Sequence, residues 1–186
     1  YLLIFLISII IYTMLKFLGQ AGFMYETNKE ILLMDPWMSR EGAFDSSWYQ
    51  FPSNHDLGDQ IKEDIELSKK EIYIYISHEH KDHFDVPYLK TLDLSKINFI
   101  TPKFRRDHVA HVLNTLNPKS VITPVDSEVL NIGNIEIRLF LDDQEIVRDS
   151  ALGLIDKDKD FTFLNLNDCK VYDRVDELKN IFKKFD

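Results

Sequence analysis

Apolar residues fall in short runs separated by turn-forming residues, and the period of each run predicts its element. Leu15 to Leu18 and Phe23 to Thr27 flank Gly19-Gln20-Ala21-Gly22, which predicts two strands around a tight turn. Ile31 to Met34 predicts a third strand running into Asp35-Pro36-Trp37. Glu71 to Ile76 (EIYIYI) alternates with period two and is rich in strand-favouring residues. Ile97 to Thr101, Ser120 to Thr123, Val129 to Leu130, Ile135 to Leu141, Ala151 to Ile155 and Phe161 to Leu166 predict further strands. Helices are predicted over Gln60 to Ser68, Val86 to Leu94, Lys103 to Leu116 and Val175 to Phe185. In the third of these, Phe104, Val109, Val112 and Leu113 share the inner face. Strands come first, then strand–helix units, then strands again. That order favours an α+β arrangement of two sheets with helices outside over a doubly wound sheet.

Two stretches stand apart from this rhythm. Ser39 to Asp59 is loop-like and carries Phe44, Trp48, Tyr49 and Phe51. Long loops in compact domains are commonly functional, so this one reads as a flap or pocket wall; the alternative is that its rings pack onto the sheet. Tyr1 to Thr13 is almost wholly apolar but shorter than the roughly 20 residues a spanning helix needs. It reads either as a non-native leader ahead of a start at Met14 or as a short anchor bringing residues 1–13 to a membrane. The domain proper is then 14–186, with an abrupt end that suggests a fragment of a longer protein.

Composition narrows the function classes. The chain has 186 residues, 45% of them hydrophobic, enough for one domain with a sizeable core. Acidic residues outnumber basic ones 31 to 22, for a net charge of -9. Such a surface does not suit a phosphate backbone, so nucleic acid is not expected as a partner. Cys169 is the one cysteine. A disulfide framework and an all-Cys zinc site are therefore excluded, as is a Rieske cluster contained in this chain, which needs two Cys and two His. The reducing cytoplasm is the default compartment.

The chemistry concentrates in Ser77-His78-Glu79-His80-Lys81-Asp82-His83, immediately after an apolar strand. A strand end is a rigid platform from which a loop can aim several ligands at one place. His78 and His80 can grip one ion, and Asp82 with His83 a second beside it, since divalent metals take such N and O ligands. Two ions so placed can share and ionise one water. Asp168 ends the strand of Phe161 to Leu166, where it either bridges two ions or caps a turn with Asn167.

The pattern His78-x-His80-x-Asp82-His83 resembles the signature of the metallo-β-lactamase superfamily. Phe17 to Phe23 resembles that family's first hairpin, Leu33-Met34-Asp35-Pro36-Trp37 its Asp-Pro-Trp segment, and Phe161 to Asp168 its late strand ending in a bridging Asp. Asn167-Asp168-Cys169 and the Trp-bearing insertion look most like the branch of CMP-N-acetylneuraminate hydroxylase and its bacterial relatives. The resemblance implies a four-layer αβ/βα sandwich, here incomplete at its C-terminus, with the metals in a groove at one edge of the sheets. It implies two divalent ions, zinc first with iron and manganese as alternatives. His78 and His80 would hold the first, Asp82 and His83 the second, and Asp168 would bridge. Asp82 would also orient the nucleophile, and Asp35 would support the loop.

The chain departs from that pattern where a third His is expected for the first metal. Glu145 stands there, four residues before Asp149-Ser150, and no His follows His111. Glu145 reads either as a substituting carboxylate ligand or as a solvated charge, and Asp149 as a group that orients a ligand. Three functions follow. The first is a hydrolase using a metal-bound hydroxide on an ester, amide, lactone or phosphodiester. The second is the catalytic part of a hydroxylase-like oxygenase whose iron–sulfur cluster lies elsewhere. The third is a metal-poor module at a membrane.

Overall fold

The computed structural model describes residues 15–144 and 148–185. The apolar leader 1–13, Met14 and Glu145 lie outside the described residues. Leu15–Gly19 (β1), Gly22–Glu26 (β2) and Glu30–Met34 (β3) form an antiparallel meander. Glu71–Tyr75 (β4), Ile97–Ile100 (β5) and Ser120–Ile122 (β6) then add in parallel, in the order β1-β2-β3-β4-β5-β6. Each parallel step is made through a helical crossover: His55–Leu67 (α1), Val86–Leu89 (α2) and His108–Thr115 (α3). The second sheet is antiparallel. It runs Val129–Ile132 (β7), Ile135–Asp143 (β8), Arg148–Asp156 (β9) and Phe161–Asn165 (β10), and Val175–Ile181 (α4) follows.

Side-chain alternation sorts these elements into four layers. Leu32 and Met34 of β3, Tyr75 of β4 and Ile100 of β5 face Ile135, Ile137, Leu139, Leu152 and Leu154 of the second sheet. The other faces of β3 and β4, through Ile31, Leu33, Ile72 and Ile74, meet Ile61 and Ile65 of α1 and Val109 and Leu113 of α3. On the far side of the second sheet, Phe140 and Ala151 meet Leu178 and Phe182 at the α4 end. Burying each such side chain stabilises the fold by about 1.5–3 kcal/mol. The result is the expected α+β four-layer sandwich, αβ/βα.

Several boundaries differ from the expected ones. The helix predicted from Lys103 begins only at His108. Lys103 N–H instead donates to Pro124 O and Phe104 N–H to Pro102 O, which holds the segment irregular. Helix α1 starts earlier than predicted, at His55, because Asn54 spends its amide on Leu18 O and Trp37 O, pinning the end of the loop. The helix predicted to Leu94 stops at Leu89, and a 3-10 turn covers Leu94–Lys96. Helix α4 ends at Ile181, before the predicted Phe185. In the aromatic loop Ala43 bridges Trp48, and the Phe44 and Trp48 rings meet edge to face at 5.0 Å. Trp48, Tyr49 and Phe51 stay exposed, so these three rings are not packed onto the sheet. With Gln20, Trp37 and Gln50 they line an open recess.

Candidate metal centre

Strands β3 and β4 are parallel neighbours with Met34 beside Tyr75, so Asp35 and the histidine loop leave the sheet at the same end. Asp35, with a left-handed φ of 41, turns its carboxylate into that loop. Its Oδ1 accepts from Ser77 N at 2.8 Å. Its Oδ2 accepts from Ser77 Oγ at 2.5 Å and from His83 Nδ1 at 2.8 Å. Ser77 Oγ has given its proton to Asp35, so it accepts from His78 Nδ1 at 2.9 Å. Both imidazoles therefore carry a proton on Nδ1 and turn their Nε2 edges towards one spot, as metal-ligating histidines do. Ser150 Oγ donates to Ser77 O at 2.8 Å and ties β9 to the loop.

The converging atoms are close. His78 Nε2 lies 2.9 Å from His80 Nδ1, 3.5 Å from Asp149 Oδ1 and 3.8 Å from Asp168 Oδ2. His83 Nε2 lies 3.6 Å from both Asp82 Oδ2 and Asp168 Oδ2. Asp168 thus stands between the two imidazoles. It leaves β10 through a turn in which Asn167 has φ 49, Asn167 N–H donates to Asn165 Oδ1, and Cys169 N–H donates to Leu166 O. The turn is closed by these groups and not by the Asp168 carboxylate. His78, Asp82 and His83 are buried at the floor, and His80 and Asp168 sit at the exposed rim.

The electrostatics set the two buried imidazoles apart. Burial, with His83 alongside, pushes His78 down to about 3. Burial acts downward on His83 too, but the Asp35 carboxylate overrides it and holds the ring up at about 9. Burial and the nearby Asp168 charge push Asp149 up. His83 Nε2 is buried with no hydrogen-bond partner. Such an orphan atom costs free energy unless something outside the chain meets it. His78, His80 and Asp168 offer donor atoms all within 4.8 Å of one another, and nitrogen and carboxylate donors at this spacing fit a divalent cation.

The remaining residues fall into place around this point. Asp149 reaches the pocket directly. Glu79 turns away from it to pair with Arg148 at 2.6 Å. Asp85 anchors the aromatic loop by accepting from Met38 N and Ser39 N at 2.8 and 2.7 Å. His55 faces Met38 O from α1, and His108 and His111 stay on α3, apart from the cluster. One contact has no signal in the sequence: Gln20, in the β1–β2 turn with φ 50, donates from Nε2 to Asp82 Oδ2 at 3.2 Å.

No protein-family model matches the chain. Among curated proteins it is 29% identical over 175 residues to a "Putative Rieske 2Fe-2S iron-sulfur protein" of Mycolicibacterium smegmatis, an alignment covering 90% of this chain and 32% of that protein. A protein of the same description in Mycobacterium tuberculosis is 28% identical over 173 residues, again 90% of this chain and 32% of the relative. The chain spans about a third of the length of these relatives. Among solved structures it is similar to CmlA, a diiron beta-hydroxylase from Streptomyces venezuelae, with TM-score 0.64, 16% identity and coverage of 92% of this chain and 33% of that one. It is also similar to "a possible metal-dependent hydrolase" from Veillonella parvula, with TM-score 0.62, 13% identity and coverage of 89% and 66%. The metallo-beta-lactamase fold protein YhfI from Bacillus subtilis superposes with TM-score 0.50 at 15% identity, over 78% of this chain and 53% of that one. Two sheets in this order, the histidine loop at the end of β4 and these likenesses agree: the chain has the metallo-β-lactamase fold.

Proposed function

We propose that this chain is the two-metal domain of an oxygenase-type enzyme whose electrons come from a [2Fe–2S] centre carried outside these residues. The observation that carries the two-metal reading is the Asp168 carboxylate, standing 3.8 Å from His78 Nε2 and 3.6 Å from His83 Nε2. In this reading His78, His80 and Glu145 would hold one ion and Asp82 and His83 the other, with Asp168 placed to serve both. The oxidative reading is supported by relatives described as Rieske proteins, of which this chain matches about a third, and by the diiron description of CmlA. With one cysteine, these residues cannot complete the two-Cys, two-His ligand set of a Rieske centre by themselves. A carboxylate-rich donor set suits iron or manganese as well as zinc.

When bound, such a pair supplies Lewis acidity, a lowered pKa for a coordinated water and, for iron, redox capacity. The chain's own residues do the rest. Asp35 fixes the His83 ring and Ser77 the His78 ring, so both Nε2 edges are aimed before anything binds. Asp82, buried beside His83 and held by Gln20, is a carboxylate positioned to keep or move a proton at its Oδ2. Trp37, Trp48, Tyr49 and Phe51 wall the approach and limit water around a small-molecule substrate.

A hydrolytic second reading uses the same residues, with Asp82 as general base. It is favoured by the likeness to the Veillonella parvula protein. A cytoplasmic site of action is proposed with either reading. No helix among the described residues is long and apolar enough to cross a membrane.

Metal analysis of the full chain, offered iron and zinc separately, tests the proposal, with His80→Ala and Glu145→Ala beside the wild type. Two irons per chain with reductant-dependent oxygen uptake is the expected result, diminished in both variants. Two zinc ions with ester or phosphodiester cleavage and no oxygen uptake would move the assignment to the hydrolase. A folded wild type that takes up no metal would overturn both and leave a metal-poor module.

A further inference from the structure

We propose that Arg105, Arg106 and Arg148 form a subsite for an oxyanion of the substrate, carboxylate or phosphate, beside the candidate metal centre. The inference rests on the reading of that centre as a small-molecule enzyme and adds what its substrate must carry.

The first observation is charge placement. On a chain of net charge -9, three arginines converge on one small cavity of about 150 Å³, lined also by Asp143 and Gln144. Asp143 faces Arg105 Nε at 3.6 Å, and Glu79 faces Arg148 Nη2 at 2.6 Å. Among the described residues, the three guanidinium groups here meet two carboxylates, those of Asp143 and Glu79.

The second is unused donor capacity. Arg148 is largely buried, with 17% of its side chain exposed, yet only Nη2 is spent, on Glu79. Its Nε and Nη1 have no protein partner among the described residues. Arg105 gives Nη2 to Asp143 O at 2.9 Å, and its backbone N–H goes to Asp143 Oδ2 at 3.0 Å. Arg106 makes no ion pair among the described residues. Planar guanidinium forks with free edges match the two or three oxygens of a carboxylate or phosphate.

The third is position. Arg105 and Arg106 lie on the segment leaving β5, the parallel neighbour of the strand that carries the histidine loop. Arg148 precedes Asp149, whose Oδ1 is 3.5 Å from His78 Nε2. Its partner Glu79 lies between His78 and His80 in the chain. An oxyanion seated here would hold the rest of its molecule against the metal loop, while the aromatic recess lies on the Gln20 side of Asp82.

The experiment is titration of metal-free full chain with inorganic phosphate and, separately, acetate, at ionic strength held constant with sodium chloride. Calorimetry and the melting temperature are the readouts. Saturable binding of one of the two anions, weakened about tenfold or more in Arg106→Gln and in Arg148→Gln, is the expected result; tenfold is about 1.4 kcal/mol. The better-bound anion names the group. Arg106 is exposed, so its variant keeps the test valid if Arg148→Gln fails to fold. Absence of saturable binding of either anion would overturn the subsite, as would binding unchanged in Arg106→Gln. Metal uptake measured on the same preparations separates the two ideas. Anion binding without metal uptake removes the two-metal reading and leaves the subsite; metal uptake without anion binding does the reverse.

Discussion

Asp35 and His83 lie 48 positions apart in the chain and meet at 2.8 Å, both side chains sealed from solvent. Asp35 also accepts two hydrogen bonds from Ser77, so one carboxylate sets the geometry of the whole loop. Removing one partner of a buried pair typically costs about 3–5 kcal/mol, because the other is left uncompensated. Asp35→Ala is expected to lose stability of that order in urea denaturation. Its metal affinity, read by chelator competition, should fall by roughly 10–100-fold, as when a ligand's supporting partner is lost. A variant that melts and loads metal like the wild type would remove Asp35 from this role.

The contact from Gln20 to Asp82 predicts a different pattern. Gln20 is exposed, and its loss should cost no more than about 1 kcal/mol of stability. Gln20→Ala frees Asp82 Oδ2, which is 3.6 Å from His83 Nε2, while the His78–His80 pair is untouched. Uptake of the second metal equivalent should weaken several-fold with the first unchanged. Equal weakening of both equivalents would contradict the assignment of Asp82 to one side of the site.

Gly153 tests the outer layer. A Cβ at this position of β9 would stand 2.1 Å from Phe182 Cζ and 3.1 Å from Phe140 Cε2. Gly153→Ala must displace the Phe182 ring, an overpacking expected to cost about 1–3 kcal/mol. Adding Phe182→Leu should recover part of the loss in urea denaturation, and strict additivity of the two changes would refute the contact.

Cys169 gives a pH prediction. It is 7% exposed, and Sγ donates to Phe140 O at 3.4 Å. Burial, with Asp142 and Asp149 nearby, pushes the thiol up from 9.0 to about 11. A raised folded value means that the un-ionised thiol contributes its stability in full below the unfolded value. That contribution is lost as pH rises from about 9 towards 11. At pH 8 native protein should therefore resist iodoacetamide, and urea-unfolded protein should take one equivalent. Native labelling as fast as unfolded labelling would exclude the buried placement.

The strands were legible where period and composition agreed, as in Glu71 to Ile76, because alternate residues there enter different layers. The start of α3 was not, since Lys103 to Asp107 reads as helical by pattern but is held by backbone bonds to Pro102 and Pro124. The three histidines were legible as a group because a strand end forces near neighbours in sequence to be near neighbours in space. Gln20 and Asp82, 62 positions apart, and Arg148 and Glu79, 69 apart, meet only because parallel and antiparallel strands end at the same rim. No local pattern records such meetings.

Strand β3 is buried along its whole length, Ile31 and Leu33 in the core under the helices and Leu32 and Met34 in the core between the sheets. Its four apolar residues thus divide between two apolar clusters that have no buried member in common. Neither cluster can loosen without stripping solvent protection from the other's backing strand. Unfolding is therefore expected to be cooperative across the layers, a single transition rather than a peeling of sub-globular units.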